Sequence, residues 1–250
     1  MTVEERLRRR FGRAVGQYRL IEDGDHILVG LSGGKDSLCL LELLARRSRI
    51  QRPSFKVEAV HVRMENIHYE TDTSYIQSFC DNLSVNLHIV TTSFNETLNA
   101  QPSTLNAPPS TLNKKPPCFL CSWQRRKQLF NLAQQLGCNK IALGHHQDDI
   151  IHTALMNLTF QGHFSTMPAL LRMRKMPLTI IRPLCLCTED DIRAYAEEQG
   201  YQKQLKQCPY EHDTNRTDIQ DIYLRLQQLN PEVRYSIWNA LEAAGKLVEY

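Results

Sequence analysis

Gly30-Leu-Ser-Gly-Gly-Lys-Asp-Ser37 stands between a short apolar run, HILVGL at 26–31, and a segment at 36–47 that carries Leu38, Leu41 and Leu44 at helical spacing. The run reads as a buried strand and the segment as a helix, so the glycines occupy a strand-to-helix turn. Gly33 and Gly34 let backbone approach an anion closely, and successive amide N–H groups form a nest for it. The helix that starts near Asp36 aims its positive end at the same place. Lys35 adds a point charge, and Ser32 and Ser37 add hydroxyl donors. The spacing differs from the usual P-loop. Three residues, not four, separate Gly30 from Gly34-Lys35, and an aspartate follows the lysine. The segment also lacks the G-x-G-x-x-G dinucleotide fingerprint.

Outward from the loop, strands and helices alternate. VEAVHV (57–62), LHIVTT (87–92), KIALG (140–144) and LTIIRPL (178–184) read as strands. Helices are expected at 71–83, at 119–136 up to Gly137, at 149–160 and at 188–198, the last with Thr188 as N-cap and Gly200 just past its end. Such alternation predicts an α/β fold, an open and mostly parallel sheet with helices on both faces. Ligands of these sheets sit at the carboxyl ends of strands. Helices at 217–229 and 231–245 predict a small helical C-terminal piece. The expected division is a basic N-terminal helix at 1–20, the α/β domain at 21–210 and a helical segment at 211–250. Residues 97–117 read TLNAQPS, TLNAPPS, TLNKKPP, a seven-residue unit written three times with five prolines. Too polar to pack and too short for a solenoid, it reads as a loop insertion.

Composition narrows the function classes. The chain has 250 residues and a net charge of +3. No apolar stretch approaches the roughly 20 residues of a membrane span, so no membrane partner is expected. The first 20 residues lack the apolar centre of a secretory signal. With no such signal, eight cysteines argue for reduced thiols and a cytoplasmic location. Arg6, Arg8, Arg9, Arg10, Arg13 and Arg19 make the first helix basic. Either it is a solvated helix held by Leu7, Phe11 and Val15, or it touches a phosphate backbone.

A second strand end carries Ala142-Leu-Gly-His-His-Gln-Asp-Asp149. Asp148 and Asp149 suit Mg²⁺ bridging phosphate oxygens, although one of a pair at a helix start is expected to serve only as a cap. Gly144, His145 and His146 would stand beside the phosphates. His61, on the second strand, reads either as a neighbour of the adenine or as a packed histidine. Pro117-Cys-Phe-Leu-Cys121 opens the long helix, with both thiols facing one way on its first turn. Cys208, in Lys206-Gln-Cys-Pro209, is the best third ligand. One pair and one distant single suit three-cysteine ligation of a 4Fe–4S cluster with one iron open. His212 as a fourth ligand would make a zinc site instead. Cys185 and Cys187 are the runner-up ligands, although they read mostly as packing. Cys39, Cys80 and Cys138 read as packing.

SGGKDS and the LGHxxDD pattern resemble the PP-loop ATP pyrophosphatases. The wider order is SGGKDS, C-x-x-C followed by Ser-Trp-Gln-Arg-Arg126, LGHHQDD, Ile181-Arg-Pro-Leu184 and a late Cys-Pro. It is similar to the tRNA 2-thiocytidine synthetases over residues 20–235. The resemblance implies a PP-loop (HUP-like) fold and an ATP site at Ser32, Gly33, Gly34, Lys35, Asp36 and Ser37, with His61, Gly144 and His145. It implies catalytic roles for Lys35, Asp36, Asp148 and Asp149, with Mg²⁺ as cofactor. It also implies a 4Fe–4S cluster on Cys118, Cys121 and Cys208. The implied reaction adenylates a cytidine carbonyl in a tRNA anticodon loop and replaces its oxygen with sulfur, a cysteine desulfurase supplying the sulfur. No compact RNA-binding module is visible. An RNA surface would draw on the N-terminal arginines, Arg172, Arg174 and Lys175, with Arg216 and Arg225, and a homodimer would widen it. Two departures stand out. The late motif is Cys208-Pro-Tyr-Glu-His212 where the family carries P-C-x-x-C, and Arg63-Met-Glu-Asn-Ile67 replaces a glycine- and proline-containing stretch. They leave open a PP-loop ATPase thiolating another base or a small molecule. A zinc-stabilised nucleotide-binding regulator is the reading from another class.

Overall fold

The computed structural model describes residues 1–94, 117–207 and 215–250, without the side chains of 206, 207, 215 and 216. The repeat insertion, Cys208 and His212 lie outside the described residues, apart from Pro117.

The chain opens with α1 (Val3–Gln17), capped by Thr2 and Glu5 in a reciprocal capping box. Next come β1 (His26–Gly30), α2 (Lys35–Ser48), β2 (Lys56–Met64), the short β3 (His68–Tyr69), α3 (Ser74–Asn82) and β4 (Asn86–Thr92). After the undescribed stretch follow α4 (Pro117–Gln135), β5 (Lys140–Ala142), α5 (Gln147–Gln161), β6 (Leu170–Arg172), β7 (Thr179–Ile181) and α6 (Glu189–Glu198). The chain closes with β8 (Lys206–Gln207), α7 (Asn215–Leu229), α8 (Val233–Ala243) and β9 (Val248–Glu249).

Seven strands form one sheet in the order β4-β2-β1-β5-β7-β6-β9, and β3 pairs with β8 in a separate ribbon. Every main-sheet pairing is parallel except β6 with β7. The expected open, mostly parallel sheet is therefore present. β3, β6, β8 and β9 escaped the sequence reading because two or three residues carry too little periodicity.

Side chains of the central strands alternate between two cores. Ile27 and Val29 of β1 and Ala59 of β2 join the larger core, which α1, α2, α5 and α6 also line. Leu28, Val60 and Ile141 face the smaller core under α4, with Ala133 and Leu129. Both faces of the sheet are thus covered, as buried parallel strands require. Strand order reverses between β1 and β5, which opens a crevice at their carboxyl ends.

The two end segments share the larger core with the rest. Leu7, Phe11 and Val15 of α1 are buried in it, and so are Trp238, Leu241 and Leu247 near the C-terminus. β9 pairs with β6 at the sheet edge. Leu241→Ala should therefore cost about 3 kcal/mol of a single cooperative unfolding transition. A separate low-stability transition in calorimetry would instead show that the C-terminal segment folds alone.

Candidate active site

β1 ends at Gly30, and Leu31 N–H donates to the Val60 carbonyl at 2.8 Å, which holds the loop against β2. Gly34 is the N-cap of α2 and offers no side chain to the first-turn amides. An anion can take their place as acceptor. Ser37 Oγ donates to the Gly34 carbonyl at 2.9 Å and accepts from Ser32 N–H at 3.1 Å, so both serines brace the turn. Gly33 has φ +80°, and a Cβ there would come within 2.8 Å of the Gln204 Cβ. At Gly144 a Cβ would lie 3.1 Å from Asp36 and Ser37 backbone, so the turn after β5 abuts the start of α2.

A cleft of about 430 Å³ opens at this edge. Ser32, Gly34, Asp36 and Ser37 line one side, and Gly144, His145 and Asp149 another. His61, Tyr69 and Arg125 line a third. That volume lies within the range of small-molecule sites.

Lys35 does not wall the cleft. Its ammonium sits 3.1 Å from Asp36 Oδ1 and 3.3 Å from Glu189 Oε1. Burial pulls its pKa down, the two carboxylates outweigh that, and the net shift is upward. Glu189 is the mirror case. Burial favours its neutral form, Lys35 opposes that more strongly, and its pKa falls. Glu189 was not singled out from sequence, where it reads as an ordinary first-turn acid of α6.

The two aspartates divide. Asp148 is buried, accepts Glu189 N–H at 2.8 Å and holds Arg234 Nη1 at 2.7 Å. Its oxygens tie α5 to α6 and α8. Asp149 lines the cleft and completes a capping box with His146. His145 Nδ1 accepts from Arg182 Nε at 3.3 Å. Burial lowers the Arg182 pKa to about 10, still far above neutrality.

His61 is 2 % exposed. Its Nδ1 lies 2.7 Å from the Leu31 carbonyl, which can only accept, so Nδ1 carries the proton. Nε2 is then an acceptor, with no partner among the described residues. Burial lowers the pKa of this ring, helped by Arg125 and Arg63. Gln204, unnoticed in the sequence, donates its backbone N–H to the Gly33 carbonyl at 3.0 Å and lines the cleft.

The cysteine pair approaches the same cleft. Pro117 starts α4, where its missing N–H costs nothing. Leu120 is buried with Met64, Ile67 and Phe94, and half-buried Cys121 packs on this cluster beside Tyr69. Cys118 is exposed. One turn beyond Cys121, Arg125 donates to Tyr69 Oη at 3.2 Å and faces the cleft. Tyr69 pairs with Lys206, and His68 with Gln207, the residue before Cys208. Cys208 itself lies outside the described residues. Among the described residues no three His, Cys, Asp or Glu side chains gather around one metal position.

The remaining thiols are buried, and burial pushes each pKa up, to about 12 at Cys80 and Cys187 and to about 11 at Cys138. Cys39 and Cys185 shift the same way. Cys185 and Cys187 are fully buried in the larger core, as packing residues are.

Residues 3–219 match the PP-loop domain family. A tRNA-cytidine(32) 2-sulfurtransferase of Pseudomonas putida is 32% identical over 241 residues, 96% of this chain and 84% of the relative. A protein of the same name from Teredinibacter turnerae is 36% identical over 199 residues, 80% of this chain and 62% of the relative. Among solved structures, the U34-tRNA thiolase NcsA from Methanococcus maripaludis, with its 4Fe–4S cluster, superposes with a TM-score of 0.72 at 26% identity, covering 97% of this chain and 78% of that one.

Two outcomes follow from the geometry. Asp148→Ala should cost about 2–3 kcal/mol of stability by leaving Arg234 without its carboxylate, whereas Asp149→Asn should keep the cap and the stability but weaken nucleotide binding. Thermal unfolding beside ATP titration separates them. The unfolded histidine takes up a proton near pH 6.5, while folded His61 resists it until lower pH. Its contribution is therefore full above that value and lost as pH falls through the folded pKa. Denaturant melts at pH 7.5 and 5 should show a shallower loss in His61→Gln than in the parent.

Proposed function

The chain belongs to the PP-loop domain family, and from that premise we propose that it is an ATP-dependent tRNA sulfurtransferase converting an anticodon-loop cytidine to 2-thiocytidine. One observation carries the reading. Arg125, a turn beyond the Cys118–Cys121 pair, and the Ser32–Ser37 loop wall the same cleft. An activating site and a sulfur-delivering site for one base must meet in this way. The neighbour NcsA carries a 4Fe–4S cluster, and the relatives are named for cytidine thiolation.

ATP would place its pyrophosphate against the uncapped amides of α2. Lys35 would exchange Asp36 and Glu189 for phosphate oxygens. His61 Nε2 offers an acceptor to the adenine amino group, with Nδ1–H anchored on Leu31. Asp149 would hold Mg²⁺ across phosphate oxygens. The cytidine carbonyl oxygen attacks the α-phosphorus, and pyrophosphate leaves. The loop amides and Lys35 stabilise the charge gathering on it. Sulfur then replaces the activated oxygen, and AMP departs. Arg125 sits between the cysteine turn and the loop, placed to hold the AMP phosphate.

The donor chemistry of the α4 start fits a cluster. Two thiols share the solvent-facing first turn, neither is in a disulfide, and Gln207 is paired next to Tyr69 just before Cys208. Cys118, Cys121 and Cys208 would hold a 4Fe–4S cluster, which when bound supplies an open iron to carry sulfide. A cysteine desulfurase is the proposed sulfur source, its persulfide sulfur being reduced to sulfide by two electrons from a thiol reductant, and a homodimer the proposed assembly.

Mass spectrometry of tRNA nucleosides from a deletion strain should show loss of 2-thiocytidine, restored by the wild-type gene and not by Cys208→Ala. An unchanged 2-thiocytidine level would move the substrate to another thiolated base or a small molecule. With purified protein, Arg125→Ala should lower the thiolation rate about 100-fold.

A further inference from the structure

Six arginines fall within residues 6–19, and the structure sorts those of α1. Arg6 and Arg10 turn toward α6 and share Asp191, at 3.1 and 2.6 Å. Arg8 and Arg9 lie over α2 instead. With Arg46 and Arg47 they wall a second cavity, of about 310 Å³, floored by Phe11 and Ile50. Its charges do not balance. Glu4 and Glu42 both serve Arg46, and Arg8 reaches Glu4 only at 3.8 Å. Arg9 and Arg47 have no carboxylate partner among the described residues. Arg47 Nε is buried there without a hydrogen-bond acceptor, a costly state unless a ligand supplies one.

We propose that this pocket binds two consecutive phosphates of an RNA backbone, outside the catalytic cleft. The inference rests on the tRNA reading above. Guanidinium forks match phosphate oxygens, and the two unopposed ones match two backbone charges. Ile50, 52 % exposed, offers an apolar seat for the ribose between them. Arg47 lies twelve residues beyond Lys35 on α2, about 18 Å along the helix axis. One nucleotide cannot span that distance, but one RNA can. The contact would position tRNA without reading sequence.

The test is the affinity of the full-length holoprotein for unmodified tRNA across a salt series, with Arg9→Gln, Arg47→Gln and the double variant. Arg9 is exposed, so its replacement leaves the fold intact and keeps the test valid whatever Arg47→Gln does. The double variant should bind tRNA about tenfold more weakly at 0.1 M salt, with the log–log salt slope shallower by about 2. ATP affinity should not change, nor should AMP formation at saturating tRNA. An unchanged slope and affinity, in a protein whose wild type binds and thiolates tRNA, overturns this inference alone. Wild type that binds no tRNA overturns the functional reading with it. Unchanged tRNA affinity with a shift from dimer to monomer in sedimentation would assign the pocket to a second copy of the chain and overturn the proposal. Protection of wild type but not of the double variant by free inorganic phosphate, with no difference on tRNA, would assign it to small anions and do the same.

Discussion

A helix that begins without a side-chain cap must find acceptors for its first amides elsewhere, and α2 begins this way at Gly34. The rest of the site is arranged around that need. Gly144 brings the end of β5 against the backbone of Asp36 and Ser37, where a Cβ would be crowded at 3.1 Å. Gly33 accepts Gln204 N–H and leaves room for its side chain. The switch in strand order between β1 and β5 opens the crevice directly before the same amides. Loop, strand end and the approach to β8 thus converge on one anion-binding turn.

Charge is allocated around this turn with little left over. Asp148 is consumed by Arg234 and the Glu189 amide, which leaves Asp149 facing the cleft. Lys35 rests between two carboxylates that phosphate can replace. Arg6 and Arg10 are matched by Asp191, while Arg9 and Arg47 are not. The modest net charge therefore conceals a local surplus. Matched pairs hold helices together, and unmatched cations mark places for an anionic partner.

Much of the site was legible in the sequence because it depends on local chemistry. The strand, the glycine turn and the helix around Gly33 and Gly34 lie within twenty residues, and each has its own composition signal. Thr188 and its helix were readable for the same reason. The roles of Glu189, Arg182, Gln204 and Tyr69 were not. Each meets its partner across a long stretch of chain, as Arg182 does with His145 and Tyr69 with Arg125. No periodicity records such meetings. Cys185 and Cys187 show the role of burial from another side. Their spacing left them as runner-up ligands beside a packing reading, and full burial favours the packing.

By itself the sequence determined the class of fold, the anion turn, the cysteine pair at a helix start and the resemblance that joins them. These follow from residue type and short-range spacing, which dictate backbone conformation and the chemistry each side chain offers. Tertiary structure alone decided which aspartate faces the cleft, which nitrogen of His61 is left as acceptor, and which arginines are spent. Those outcomes depend on burial and on partners distant in the chain, and both exist only once the sheet has brought its strand ends together.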